Sequence, residues 1–230
     1  DICGECYLYS NSFRFGRRGG GSAADSDEEE DNESGVDSPI AISSYIENEA
    51  LIAKASAHVK QAKAMRELTN QRMDLAKSDR ESGVPFEESQ QTFVGVYAQN
   101  LDLPHVGAEQ PGETYYYSPK NVYIFGCVDG ATEPRQLTAF TYEEETGKKG
   151  SNNVSSLVIE YLHVGGLVKY NVDRSLRKGK CLSMIFDNCS GQNKNNNVLR
   201  LAAYLVERGY FLEVEVLFYV RGHTKNACDR

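Results

Sequence analysis

The hydrophobic positions of the chain first follow the spacing of a helix. From Ile40 to Ser82 there is no Gly or Pro, and Ser38-Pro39 suits an N-cap followed by a first helical residue. Apolar residues recur at helical spacing between Lys, Glu, Arg and Gln: Ile52, Ala55, Val59, Ala62, Met65 and Met73. The pattern predicts a long helical region over residues 39–82, as one helix or two. Its narrow apolar stripe is typical of a helix that packs on a domain or on a partner helix.

After Gly83-Val84-Pro85 the spacing becomes that of strands, and then strands alternate with helices. Strands are predicted from β-branched and aromatic runs over Thr92–Ala98, Asn121–Val128, Arg135–Tyr142, Lys180–Phe186 and Leu212–Val220. Helices are predicted over Ser151–Leu162, with Ser151 or Asn152 as the cap, and over Asn195–Arg208, which ends at Gly209. The run over residues 180–186 is almost continuously apolar, which indicates a central buried strand.

The predicted element order is therefore β-β-β-α-β-α-β over a domain at residues 86–230. Three strands in an antiparallel meander followed by strand–helix units predict an α/β fold with a mixed sheet. Ligand groups in such sheets gather at the carboxyl ends of the parallel strands. Asp187 follows the fourth predicted strand and Asp229 follows the fifth, where a further helix would begin and be cut short by the end of the chain.

Composition and charge place a tail before these elements. The chain is 40% apolar, which excludes wholesale disorder, and its longest apolar run is the six residues Leu201–Val206, too short for a membrane span. Residues 1–38 are predicted to be a disordered tail, and their Asp25–Asp37 segment carries eight acidic residues that account for the whole net charge of −8. The segment Gly165–Arg230 has a net charge of +5, which suits an anionic partner.

The six cysteines do not form a disulfide scaffold. Only Cys3 and Cys6 have the spacing of a motif, and they supply half of a tetrahedral Zn²⁺ site. The other cysteines are predicted to be reduced, intracellular thiols.

The segment Asp187–Asn197 is the most unusual stretch, and its residues permit two interpretations. A carboxylate at a strand end followed by Gly, amides and Lys194 can hold a hydrated divalent cation, with the lysine and the helix amides facing a phosphate. The same residues also suit an Asn-rich loop that caps the following helix. The later segment Gly222–Arg230 permits a similar pair of interpretations. His223 either carries a proton or binds a metal ion, or it lies in an ordinary loop that follows a strand.

Together, the strings DNCSGQNKNN and GHTKNACDR and the strand order resemble a known family. The chain resembles, over about residues 92–230, the RNase H-like (DDE-type) catalytic domain of transposase-derived repetitive-element proteins. These proteins carry the motifs D-N-C-x-G-Q-N-K-N and G-H-T-x-N-x-x-D-R. The resemblance implies three acidic residues that bind two Mg²⁺ or Mn²⁺ ions for phosphodiester cleavage and strand transfer, with Asp187 second and Asp229 third. It also implies DNA as the partner. The residues to which it gives nucleic-acid binding are Gln192, Asn193, Lys194, His223 and Lys225. A nuclear location is an expectation from Arg14, Arg17 and Arg18, read as a nuclear address.

The first acidic position departs from the family pattern. Where the resembling proteins have Asp before Tyr-Ala-Gln-Asn, this chain has Val96, which can neither bind a metal ion nor carry charge. Asp102 or Asp129 would have to replace it. The first functional hypothesis is therefore a transposase-like nuclease. The first alternative is a catalytically inactive, domesticated copy that binds nucleic acid or protein. The second is a helical scaffold that forms homo-oligomers through its long helix.

Overall fold

The computed structural model describes residues 39–104, 112, 116, 118–170 and 175–224. Its helices are α1 (Pro39–Glu81), α2 (Ser151–Val164) and α3 (Asn196–Glu207). Its strands are β1 (Gln90–Tyr97), β2 (Leu101–Leu103), β3 (Lys120–Asp129), β4 (Leu137–Glu143), β5 (Lys169–Tyr170), β6 (Leu176–Arg177), β7 (Gly179–Phe186) and β8 (Phe211–Phe218). The predicted disordered tail over residues 1–38 lies outside the described residues.

The fold is α/β with a mixed sheet, and the predicted order of elements is confirmed. β1, β3 and β4 form an antiparallel meander, while β1 is parallel to β7 and β7 is parallel to β8. The short strand β2 pairs with β3 beyond the point where β1 ends. Tyr97 of β1 lies opposite Phe125, and Leu101 of β2 lies opposite Val122. The main strands thus lie in the order β4-β3-β1-β7-β8, with the long helix before the sheet. This is the β-β-β-α-β-α-β order predicted for an RNase H-like domain.

Both faces of the central strands are buried, which explains why β7 is almost continuously apolar. On one face Phe93, Phe186 and Leu182 pack against buried residues of α2 and α3. On the other face Val94 and Ile185 pack with Met73 of α1. The sheet therefore takes its support from helices on both sides, and its strand ends are held in place.

The boundary between two compact units falls inside α1, between Ala64 and Met65. The second unit contains the sheet together with the last part of α1. Within this unit Asp79 Oδ2 accepts a hydrogen bond of 2.7 Å from the backbone N–H of Gln90, and Thr92 Oγ1 donates to the carbonyl of Arg72. The end of α1 is thus fixed to β1.

Three details differ from the sequence predictions. Strand β2, which lies between the first two predicted strands, and the hairpin β5–β6 were not predicted. Strands of two or three residues are too short to produce a detectable period. The cap of α2 is Gly150, which has no side chain to cap with, so the prediction of Ser151 or Asn152 was wrong. Gly166, at φ +71°, follows the helix.

A polar network lies between α1 and the sheet. Glu215 accepts hydrogen bonds from Arg72 Nε at 2.7 Å, from Arg72 Nη2 at 3.1 Å and from Ser183 Oγ at 2.9 Å. Gln90 Nε2 in turn donates to Ser183 Oγ. The hydrogen bond from Arg72 lowers the pKa of Glu215 below its ordinary value, although burial opposes the shift. The two-fold contact with Arg72 links α1 to β8.

Glu215→Gln is expected to lower the free energy of unfolding at pH 7 by about 1–2 kcal/mol, because a charge-assisted hydrogen bond is lost at a site where solvent is partly excluded. A carboxylate whose pKa is lower in the folded state than in the unfolded state stabilises the fold at pH values above the unfolded-state pKa. That stabilisation is lost as the pH falls through the folded-state pKa. The difference between variant and wild type should therefore vanish at low pH. Urea denaturation across pH 3 to 7 measures it. The exposed neighbour Glu213→Gln is the control, and an equal loss in both variants would contradict the assignment.

Candidate metal and nucleic-acid site

Asp187 lies directly after β7, at the carboxyl end of a central parallel strand. Its Oδ1 accepts a hydrogen bond from Asn193 Nδ2 and another, at 3.3 Å, from the backbone N–H of Cys189. Within the residues that the structure describes, Oδ2 accepts none. The carboxylate is thus held by one oxygen and presents the other, since Asp187 is only partly buried.

Val96 lies beside Asp187 in the sheet. β1 and β7 are parallel, and their last paired positions are Gly95 and Phe186. Val96 is the next residue of β1 and Asp187 directly follows β7, so extending this register by one residue puts the two side by side on the same face. The position at which the resemblance expects the first carboxylate is thus adjacent to the second, and a valine occupies it.

The segment that follows β8 leaves the sheet at the same edge. The backbone N–H of Tyr219 donates to the carbonyl of Phe186 at 3.0 Å, so the chain is still beside the end of β7 there. The backbone N–H of His223 donates to the carbonyl of Val220, and the backbone carbonyl of His223 accepts a hydrogen bond from Arg66 Nη2 at 3.4 Å. Asp229 and Lys225 lie outside the described residues, so the structure does not place the third predicted carboxylate.

The Asn-rich run serves mainly to hold helices. Asn195 is the N-cap of α3, where its side chain accepts from the backbone N–H groups of Asn197 and Val198. Asn197 Nδ2 donates to Ser151 Oγ at 2.7 Å, which joins the first turns of α2 and α3. The capping interpretation is therefore confirmed for Asn195. It does not extend to Asn193, whose amide binds Asp187 instead of a helix end.

Asn193 is fully buried, and its Oδ1 accepts no hydrogen bond within the described part of the chain. A buried acceptor without a partner costs about 1–3 kcal/mol, so native structures normally fill such a place with a donor, a water molecule or a cation. The same side chain thus holds Asp187 with its nitrogen and presents an unsatisfied oxygen. Asn193 Oδ1 is therefore the atom at the carboxyl end of these strands that most directly indicates a place for a donor or a cation.

The other residues predicted to bind nucleic acid are placed near the same loop. Lys194 is exposed, and its ammonium lies 5.9 Å from the centre of the Phe218 ring. The backbone N–H groups of Gln192 and Lys194 both donate to the carbonyl of Cys189, so the loop is a tight turn. It leaves the lysine charge on the surface.

Neither candidate replacement for the missing first carboxylate lies at this site. Asp129 is level with Phe93 and hence with Met184, roughly 10 Å along the strand direction from Asp187. Its carboxylate pairs with Arg80 at 2.9 Å. Asp102 is level with Asn121, five residues along β3 from the partner of Val96, or roughly 17 Å. The strand registers therefore leave the position of Val96 without a substitute.

Residues 120–230 match the family model described as a domain of unknown function (DUF7869). The match contains Asp187 and the whole Asn-rich loop, whereas Val96 precedes it. No curated protein matches the chain, and no solved structure matches it. The comparisons therefore assign no activity to the site.

Lys149 lies just before α2, and its side chain reaches the end of β1. Its ammonium donates to the carbonyl of Ala98 at 2.7 Å and lies over the rings of Tyr97 and Tyr123, at 5.2 and 5.5 Å. Burial lowers the pKa of Lys149. The sequence gives no sign of this contact, because the ammonium meets a carbonyl 51 positions earlier in the chain.

Two oxygen donors of the described residues lie at this end of the parallel strands. Among the described residues, no three His, Cys, Asp or Glu side chains cluster in a way that could hold a metal ion. Asp187 and the buried Oδ1 of Asn193 are the oxygen donors present. Hydrated Mg²⁺ is commonly held by only one or two carboxylates, so these two donors are of the kind that such an ion uses.

The predictions for the rest of the chain have separate outcomes. Cys127, Cys181 and Cys189 are free thiols, as expected. Cys3 and Cys6, the predicted half of a Zn²⁺ site, lie outside the described residues. No helix in the described ranges combines the length and apolar character that a membrane span requires.

Proposed function

We propose that this chain is a transposase-derived, nucleic-acid-processing domain whose metal site has lost one carboxylate. The observation that carries the proposal is the register of β1 and β7, which makes Val96 the neighbour of Asp187 at the carboxyl edge of the sheet. Two adjacent strands in this arrangement could present two carboxylates to one cation. In this chain one of the two positions has become apolar.

The unsatisfied oxygen of Asn193 supports a cation at this edge. A cation or its bound water would supply the partner that Oδ1 lacks, while Nδ2 keeps Asp187 in place. Asp229 would be the third carboxylate by the family resemblance. In the ancestral domain, Mg²⁺ or Mn²⁺ would activate water or a 3′-hydroxyl and stabilise the leaving oxygen of the phosphodiester.

Binding without cleavage is the second candidate function, and Val96 itself favours it. Losing one carboxylate leaves the cations of a two-metal site underbound. Lys194 supports binding, because it is exposed next to the site and could contact a phosphate. DNA as the partner and a nuclear location belong to this proposal, as does Zn²⁺ at Cys3 and Cys6.

The experiment that tests the function restores the missing carboxylate. Val96→Asp should produce Mn²⁺-dependent nicking of supercoiled plasmid DNA that wild type lacks or shows more slowly. The rate should rise by at least about a hundredfold, since a site that fails to bind its metal cannot stabilise the transition state. Val96→Asn has the same shape without the charge and is the matched control.

A second substitution separates true activity from a contaminating nuclease. Val96→Asp combined with Asp187→Asn should return nicking to the wild-type level. Nicking that survives this combination, or no nicking in Val96→Asp, would contradict the proposed catalytic ancestry.

DNA affinity measured against salt distinguishes the binding function from a helical scaffold. If the chain contacts phosphates, log K falls with log salt, and Lys194→Ala reduces the slope by about one. Salt-insensitive binding, or none, would favour the scaffold.

A further inference from the structure

β4 is an edge strand whose outer side is open. Within the described residues β4 pairs only with β3, so one row of its backbone N–H and C=O groups has no strand beside it. Six consecutive residues from Leu137 to Tyr142 carry no charge. Natural edge strands normally carry Lys, Pro or a bulge that prevents pairing with another chain, and β4 has none of these in its interior. Such an edge is a template for a further strand.

The opposite edge of the sheet is protected. β8 carries Glu213, which is exposed, and Glu215 near its middle. If two copies of β8 paired in an antiparallel way near the strand centre, these acidic residues would face each other, and like charges directly opposite are destabilising. The two edges therefore differ in their capacity to pair with themselves.

If two copies of β4 pair in an antiparallel way, the charges at one end of the strand are complementary to those at the other end. Arg135 precedes the strand, is exposed and forms no ion pair with any described residue. At the other end lie Glu143, Glu144 and Glu145, where the single Lys120 of β3 pairs with both Glu143 and Glu145. With the symmetry axis at Ala139, Arg135 of one copy lies opposite Glu143 of the second. With the axis at Phe140, it lies opposite Glu145.

We propose that β4 is a homodimerisation edge, through which a second copy of this chain extends the sheet by antiparallel pairing. In either register each opposite-charge pair occurs twice, once on each side of the axis, because the contact is symmetric. The exposed side chains of Leu137, Ala139 and Thr141 lie on one face of the strand and meet their counterparts there. A contact of one strand on each side is small, so the dimer is a reversible one. This inference does not depend on the metal site.

Sedimentation equilibrium of the full chain over a wide concentration range tests the proposal. Wild type should show a monomer–dimer equilibrium. Arg135→Glu should raise the dimer dissociation constant roughly thirtyfold, since two favourable charge pairs become unfavourable. Arg200→Glu, an exposed charge reversal on α3, is the matched control and should leave the constant unchanged. Melting curves of both variants check that the fold is intact.

Cysteine cross-linking tests the geometry independently. Ala139→Cys should form a disulfide-linked dimer on oxidation if the axis passes through that residue, because directly opposed Cα atoms lie about 4.5–5.5 Å apart. If the axis passes through Phe140, a mixture of Ala139→Cys and Thr141→Cys chains should cross-link instead. Peptide mapping identifies the linked positions against the native cysteines. A monomer at every concentration would overturn the proposal. So would a dimer that Arg135→Glu does not weaken and that neither cysteine pair links.

Discussion

Asn193→Asp is expected to destabilise the fold at pH 7 by about 3–5 kcal/mol, because it places an unpaired, buried carboxylate against Asp187. Asn193 is fully buried and donates to Asp187 Oδ1, so the variant replaces a donor by a second acceptor of the same shape. The new carboxyl would have a folded-state pKa above its unfolded value of about 3.9. A raised pKa of an acid costs stability only above the unfolded pKa, so the loss should be absent near pH 3 and grow as the pH rises.

A cation bound at this end of the strands would offset the loss of stability that Asn193→Asp causes. Mn²⁺ should restore more stability to Asn193→Asp than to wild type, since it would neutralise two facing carboxylates. Urea denaturation at several pH values, with EDTA and with Mn²⁺, measures both effects. Asn196→Asp, which is exposed in the first turn of α3, is the control and should change stability little. A loss for Asn193→Asp that does not vary with pH would contradict a buried, charged carboxylate at this position.

Phe186→Ala is expected to lower the free energy of unfolding by about 3–5 kcal/mol, the usual cost of removing a fully buried phenylalanine. The ring of Phe186 lies 5.9 Å from the ring of Phe93 and packs over Gly95, where an added Cβ would come within 2.8 Å of it. It therefore joins β7 to β1 one residue before Asp187 and Val96. The structure gives no room for compensation, because both strands are covered by helices.

The matched control for Phe186→Ala is Phe218→Ala, the half-buried aromatic residue level with it on β8. Its cost should be clearly smaller, since less apolar surface returns to water. Urea midpoints with an unchanged m-value measure both losses. Equal costs for the two variants would contradict the position of Phe186 at the centre of the core.

The order of the elements could be predicted because it depends on local periods. The run over residues 180–186 indicated a buried strand by its continuous apolar character, and β7 is buried on both faces as expected. β2 and the β5–β6 hairpin could not be predicted in this way, because pairing with another segment makes such short strands. The cap of α2 is Gly150, which a search for capping side chains does not find.

The residues of the candidate site could not all be predicted, because a local sequence does not show in which direction its strand runs in the sheet. Asp129 ends the apolar strand β3 and Asp187 directly follows the apolar strand β7, so their local sequences look alike. β3 runs antiparallel to β1 whereas β7 runs parallel to it, and Asp129 is therefore displaced along the sheet from Asp187. The role of Asn193 is equally invisible in the sequence, because a run of asparagines does not show which one caps the helix and which one binds the carboxylate.

The neighbouring positions of Val96 and Asp187 are the central claim, and Mn²⁺ broadening of backbone amide signals in NMR spectra tests it most directly. In Val96→Asp, low Mn²⁺ concentrations should selectively broaden the amides of residues 95–97 and 187–189, and Asp187→Asn in the same background should remove the effect at both places. Broadening confined to other acidic segments, or broadening near residue 96 that persists without Asp187, would contradict a shared cation site at this edge of the sheet.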